Sequence, residues 1–127
     1  MSEKKIVFTK NAPQPVGPYS QAIVSDSFVF VSGQIPIDPK TAQIVKGGIE
    51  EQTVQVLENI KSILESVQLT LSDVVKTSVF LSDFDDFTSF NAVYRRYFEH
   101  NPPARTTVQS GLMVDVLVEI DVIAKKS

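Results

Sequence analysis

The sequence predicts an α+β domain: one mixed sheet with two helices packed on one of its faces. Two stretches carry an apolar stripe at helical spacing, and short β-branched runs stand before, between and after them. The order reads β-β-α-β-α-β-β with an extra strand at the N-terminus. No repeat, low-complexity tract or linker divides it, so residues 1–127 form one domain.

Residues 5–8 fit a short edge strand ahead of Pro13, Pro15 and Pro18, and GPYSQA (17–22) reads as a turn feeding an extended segment. FVFV (28–31) is a strand with apolar side chains on both faces, running on into Ser32 and Gly33. Strands with one buried face alternate, so both sides of this one should be covered. Residues 37–48, with Asp38, Pro39, Gly47 and Gly48, read as a loop. Over 49–67 the stripe Ile49, Thr53, Val56, Leu57, Ile60, Ile63, Leu64 and Val67 predicts a helix. Glu50 and Glu51 sit in its first turn, where the helix dipole favours acids. Residues 74–81 form a strand with Val75, Thr77, Val79 and Leu81 on one side. Ser82 or Asp83 then caps a second helix with the stripe Phe84, Phe87, Phe90, Val93, Tyr94, Tyr97 and Phe98, ended by Pro102 and Pro103. Two last strands fit 106–110 and 116–124, with Gly111 at the break.

In the final strand Val116, Val118, Ile120 and Val122 share the face expected under the helices. Leu117, Glu119, Asp121 and Ile123 share the other, which is half apolar and half acidic. Two helices cannot cover both faces of the sheet. The economical expectation is that the open face packs against other copies of the chain in a closed ring, with Glu119 near a subunit boundary.

Composition narrows the function. A net charge of −3 and a pI near 5.1 provide no basic field for phosphate backbones, which argues against nucleic-acid binding. The absence of cysteine removes thiol nucleophiles, disulfides and cysteine-ligated metals. No signal peptide is evident, and no apolar run approaches the roughly 20 residues of a membrane helix, so a cytosolic protein is expected. His100, the only histidine, suits the end of a helix better than a catalytic role. The acids Asp83, Asp85 and Asp86 resemble a solvated helix start, so no metal is expected. Gly47-Gly48 is not a phosphate-loop pattern, and Ser32 has neither a nucleophile-elbow setting nor a histidine partner.

Arg105 and Glu119 remain. Arg105 could be a surface charge after a proline stop, and Glu119 one half of an ion pair. Their setting favours chemistry. Pro102 and Pro103 fix the approach to Arg105, and Glu119 lies mid-strand among valines. A guanidinium fork matches a carboxylate ligand with two parallel donors, and a half-buried acid beside it can exchange protons with a small substrate or orient water.

Six segments then carry a resemblance: GPYSQA (17–22), FVFVSGQIPIDPKT (28–41), VKGGIEEQTVQVLENI (45–60), FNAVYRRYF (90–98), PPARTTV (102–108) and VEIDVIA (118–124). Together, in order and over nearly the whole chain, they closely resemble the RidA/YjgF family of reactive-intermediate deaminases. The resemblance implies a fold like chorismate mutase of the Bacillus type, as a homotrimer with a central β-barrel, helices outside and three clefts between subunits. It implies hydrolysis of enamines and imines such as 2-aminoacrylate, 2-iminopropanoate and 2-iminobutanoate to 2-keto acids and ammonia, with no cofactor. Such species escape from pyridoxal-phosphate enzymes, including threonine and serine dehydratases. It implies that Arg105 holds the substrate carboxylate, that Glu119 positions water and shuttles its proton, and that Tyr19 lines the cleft with its hydroxyl near the substrate. Ser32, the backbone of Gly33, Asn91 and Thr107 complete the wall. Two departures bear on substrate preference. Met113 follows Leu112 where many relatives have proline, in a loop one residue short, and Thr107 stands where many carry cysteine. The competing readings are a non-catalytic regulatory trimer that binds keto acids or another metabolite, a ribonuclease or translation inhibitor, and a structural or chaperone-like trimer.

Overall fold

The structure, a computed structural model, describes residues 3–127. Its main sheet contains β1 (Lys5–Val7), β2 (Ala22–Ser25), β3 (Phe28–Gln34), β6 (Val74–Leu81), β7 (Ala104–Gln109) and β8 (Val118–Lys125). A small hairpin, β4 (Ile37–Asp38) and β5 (Gln43–Ile44), follows β3, and the helices are α1 (Ile49–Glu65) and α2 (Phe87–Tyr97). The sheet order is β1-β2-β3-β8-β6-β7, so the last strand of the chain lies inside the sheet while β1 and β7 are its edges. Only β6 and β7 are parallel. The intervening α2 is the crossover that a parallel pair requires.

Both helices bury one stripe on the same face of the sheet, as expected. Val56, Leu57, Ile60, Ile63 and Leu64 of α1 and Phe90 of α2 are fully buried, and so are Val29, Val118 and Ile120 beneath them. Burial of such side chains contributes about 1.5–3 kcal/mol each, and this stripe holds the helices in place. Tyr97 Oη donates to Glu58 Oε2 at 2.8 Å and ties the helices together. Burial first, and then that carboxylate, push the Tyr97 phenol up to about 12.

The elements depart from the sequence reading where local bonding overrides the apolar pattern. The expected 37–48 loop contains the β4–β5 hairpin, turned by Asp38, whose Oδ1 accepts from Lys40 N–H at 2.9 Å and whose carbonyl accepts from Ala42 N–H at 2.8 Å. α1 stops at Glu65, because Leu69 N–H closes back on Leu64 O at 2.9 Å with Gln68 at φ 61°. Asp83 Oδ1 accepts from Asp85 N–H at 2.9 Å, so the expected cap opens a 3-10 turn over Phe84–Asp86. Phe84 and Phe87 are therefore exposed rather than part of the core stripe. The second helix ends at Tyr97, ahead of the prolines. On β6 the buried residue is Val74, not Val75. The register with β8 slips between Val74 and Lys76, so Val75 is the extra residue of a bulge and turns outward.

The other face of the sheet carries Ile6, Phe30 and Ile123, which pair across strands β1, β2, β3 and β8 through Ile23. Phe30 is 44% and Ile6 70% exposed in the single chain. In FVFV, Val29 and Val31 are buried on the helix face, whereas Phe28 and Phe30 leave the other face open in the single chain.

Candidate active site

Arg105 opens toward the helices. On β7 it stands opposite Thr77 of β6, which is fully buried under them. Its Nη1 donates to Asn91 Oδ1 at 2.7 Å. Its guanidinium carbon lies 4.7 Å from the ring centroid of Tyr94, 5.6 Å from that of Phe87 and 5.8 Å from that of Phe90. Residues 87, 90, 91 and 94 share one side of α2 at helical spacing, so the helix presents an aromatic cage and one amide oxygen together. Thr77 and Tyr94 hydroxyls are hydrogen-bonded at 2.8 Å, which fixes the ring facing the cation. No carboxylate of the described residues pairs with Arg105. One of its five N–H donors is committed to Asn91, and the rest of the fork is available to a ligand. Thr107, one strand repeat further along the same side, has its Oγ1 buried with no hydrogen-bond partner among the described residues.

Glu119 faces the other way. It alternates with the buried Val118 and Ile120 and pairs with Phe80 across β6, so it stands on the open face. Burial pushes its carboxyl above the usual carboxylate range, and the nearby charge of Asp121 adds to the effect. No lysine or arginine of the described residues neutralises it. Asp121 is also raised by burial, with Ser78 and Lys76 working against the shift. Between Val31 and Gln34 the register of β3 against β8 slips by one residue, which sets Ser32 and Gly33 in a bulge beside Asp121 and Glu119. A Cβ on Gly33 would collide with Glu119 Oε2 and come within 3.0 Å of Cδ, so the carboxylate rests on bare backbone. Ser32 Oγ donates to Ser20 O at 2.6 Å, and its N–H donates to Gln21 O at 2.9 Å. These bonds dock the segment carrying Tyr19 beside the bulge. Tyr19 is 50% exposed, and its hydroxyl makes no hydrogen bond within the described residues.

The expected site residues thus fall into two groups. Arg105, Asn91 and Thr107 lie on the helix side at edge strand β7, while Glu119, Gly33 and Ser32 lie toward the open face, with Tyr19 on the segment docked beside them. One chain does not bring the two groups together. His100 stays apart from both, exposed beside Glu99 at 4.0 Å. Sequence reading missed the cage. Phe90 and Tyr94 do belong to the core stripe, as the spacing predicts, but with the exposed Phe87 they also face Arg105, and an aromatic-rich helix preceding a lone arginine is a usable signal of that. It also missed Gln21, which is buried and whose amide binds residues 9–13.

This fold and these residues define a small α+β domain of a known kind. Residues 9–126 match the family model described as Endoribonuclease L-PSP, and the chain belongs to that family, the RidA/YjgF family. It is 56% identical to a RutC family protein of Pyrococcus horikoshii, over 97% of this chain and 98% of that one. It is 39% identical to the human 2-iminobutanoate/2-iminopropanoate deaminase, over 95% of this chain and 89% of that one. Among solved structures, E. coli TdcF with bound serine superposes with a TM-score of 0.92 at 39% identity, covering 97% of this chain and 99% of that one. Among the described residues, no helix is long and apolar enough to cross a membrane.

Proposed function

We propose that the protein hydrolyses small 2-imino acids, and the enamines that tautomerise to them, to 2-keto acids and ammonia in a cleft completed by two copies of the chain. The observation that carries this reading is Arg105. A half-buried guanidinium caged by three rings, with a neutral amide oxygen as its one hydrogen-bond partner, is a costly arrangement unless an anion joins it. A carboxylate taking two parallel N–H donors is the anion that fits best. Thr107 Oγ1 can add a further hydrogen bond. The second support is Glu119, a carboxylate with no cation partner among the described residues, whose proton affinity is raised by burial and by Asp121 and which is suited to carrying a proton.

The chemistry asks for little more. A protonated imine is already electrophilic at C2. Water attacks that carbon while Glu119 accepts one of its protons, forming a tetrahedral carbinolamine. The same proton then passes to nitrogen, the C–N bond breaks as the freed Glu119 carboxylate takes the remaining hydroxyl proton, and the keto acid leaves with ammonia, which picks up that proton to depart as ammonium. Arg105 keeps the substrate oriented throughout, and the rate gain comes mainly from orientation and one proton carrier.

Because the two groups occupy opposite sides of one chain, the open face of one copy must meet the β7 edge of the next. Such a contact joins unlike patches, and three of them close a ring. The homotrimer with a barrel core is therefore part of this proposal. The relative named as an imine deaminase supports the activity, and TdcF with bound serine supports a ligand that bears a carboxylate. A nuclease reading has the family description behind it, but a chain of net charge −3 offers no basic stripe to RNA.

The test is release of 2-oxobutanoate from 2-iminobutanoate generated in situ by a dehydratase, with and without the protein. Acceleration is expected, with most of it lost in Arg105→Lys, which keeps the charge but not the planar fork. Glu119→Gln is expected to bind 2-oxobutanoate yet turn over poorly. Tight binding of the keto acid without any acceleration would favour a metabolite sensor instead.

A further inference from the structure

Two hydroxyls meet in the core behind Arg105. Thr77 is 0% and Tyr94 6% exposed, and their oxygens are 2.8 Å apart. Thr77 stands on β6 between Arg105 of β7 and Val122 of β8, so its side chain points under the helices alongside Arg105. Its other neighbours on that face, Val79 and Val122, are buried valines. A valine at position 77 would fill nearly the same volume, and a phenylalanine at position 94 would keep the ring. Replacing both members of such a pair with apolar groups of the same shape is close to neutral for stability, so folding gives no reason for the two hydroxyls.

Their effect is on position. The Tyr94 hydroxyl lies on the axis about which its ring turns, so the bond to Thr77 fixes where the far end of the ring sits but not its tilt. The tilt is set by the rings on either side, Phe90 at 5.4 Å and Phe98 at 4.7 Å between centroids, with interplanar angles of 39° and 38°. Together these contacts hold the Tyr94 ring 4.7 Å from the Arg105 guanidinium carbon, nearer than the ring of Phe87 or Phe90. The cation is drawn to that ring, and Asn91 Oδ1 takes one edge of the fork at 2.7 Å. We infer that Thr77 is a positioning residue of the carboxylate site: through the Tyr94 ring it holds the Arg105 fork in the orientation that offers a carboxylate two parallel N–H donors. This rests on Arg105 as the anchor of the substrate carboxylate. Thr77, with no exposed surface, acts only through its neighbours, and the Thr77–Tyr94–Arg105 chain of contacts is complete within one copy of the protein.

The experiment measures the Kd of 2-oxobutanoate by titration calorimetry, the urea midpoint and the hydrolysis of 2-iminobutanoate generated in situ. It compares wild type, Thr77→Val, Thr77→Ser and the double variant Thr77→Val with Tyr94→Phe. Thr77→Val should raise Kd and KM about tenfold with kcat within about twofold, since a displaced anchor weakens substrate and transition state alike. Thr77→Ser keeps the hydroxyl and should bind within about threefold of wild type. The double variant leaves no stranded hydroxyl, so its urea midpoint should return to that of wild type while its Kd stays about tenfold weaker. A pair that served folding alone would not separate affinity from stability in this way. If the unpaired Tyr94 hydroxyl unfolds Thr77→Val, the double variant decides alone. A double variant that binds as wild type does overturns the positioning role and leaves the hydrolase reading standing. So does Thr77→Ser binding as poorly as the double variant, or a loss that lies in kcat alone. A wild type that binds 2-oxobutanoate without hastening hydrolysis overturns the hydrolase reading only, and one that does not bind it overturns both.

Discussion

The role proposed for Glu119 depends on its being uncomfortable. It stands on a sheet face beside Asp121, and both burial and that neighbour favour its protonated form. A carboxyl whose pKa is raised on folding binds its proton more tightly in the native than in the unfolded state. Its contribution to stability is therefore complete below the ordinary carboxylate pKa and is lost as pH rises through the raised one. Glu119→Gln removes this loss. The variant should gain stability relative to wild type as pH rises from the ordinary Glu value of about 4.3 through the raised one, and urea midpoints measured over a series of pH values would record it. An unchanging difference would mean that Glu119 titrates as a free glutamate. In activity, the acid limb of kcat/KM should lie above the usual carboxylate range and should disappear with the carboxylate. Gly33 belongs to the same device, because its missing side chain leaves room for the acid.

At the scale of elements, Gln21 is the piece that holds the N-terminal arm. Its Oε1 accepts from Thr9 N–H at 2.7 Å, and its Nε2 donates to Thr9 O at 3.0 Å and Pro13 O at 2.9 Å, with Ala12 O at 3.3 Å. The residue is 1% exposed. Gln21→Ala leaves several backbone groups without partners, and the expected loss is about 2–4 kcal/mol in denaturant unfolding. Because Tyr19 lies two residues away, cleavage in the 9–20 segment during limited proteolysis should quicken as well. The helices repeat the theme in apolar form. α2 supplies the cage for Arg105 because the β6–α2–β7 crossover brings it back over the strand that follows it.

For the whole molecule, the proposed assembly rests on the open face. Phe30, Ile6 and Ile123 form an apolar row that the two helices cannot reach. Phe30→Asp should fold, since the ring lies outside the core in one chain, yet it should abolish the proposed oligomer and with it nearly all of the proposed hydrolysis. Sedimentation velocity on wild type and variant would decide the matter. A wild type that sediments as a monomer would separate Arg105 from Glu119 for good.

The residues alone determined the layers. Helical and strand periodicities are local consequences of which side chains must leave water, and the alternation along β8, the stripe of α1 and the surplus apolar face of FVFV were all legible without coordinates. Arg105 and Glu119 could also be singled out, because a fixed charge and a mid-strand acid conflict with their surroundings. Tertiary structure alone decided how these parts face one another. Arg105 points to the helices only because β7 pairs with β6 in the register that sets it against Thr77, and Glu119 rests on Gly33 only because a bulge slips β3 by one residue. The direction of a strand residue relative to a distant strand depends on pairing register, and periodicity within one segment does not encode it. That is why two candidate half-sites were readable one by one, while their separation onto opposite sides of the sheet was not.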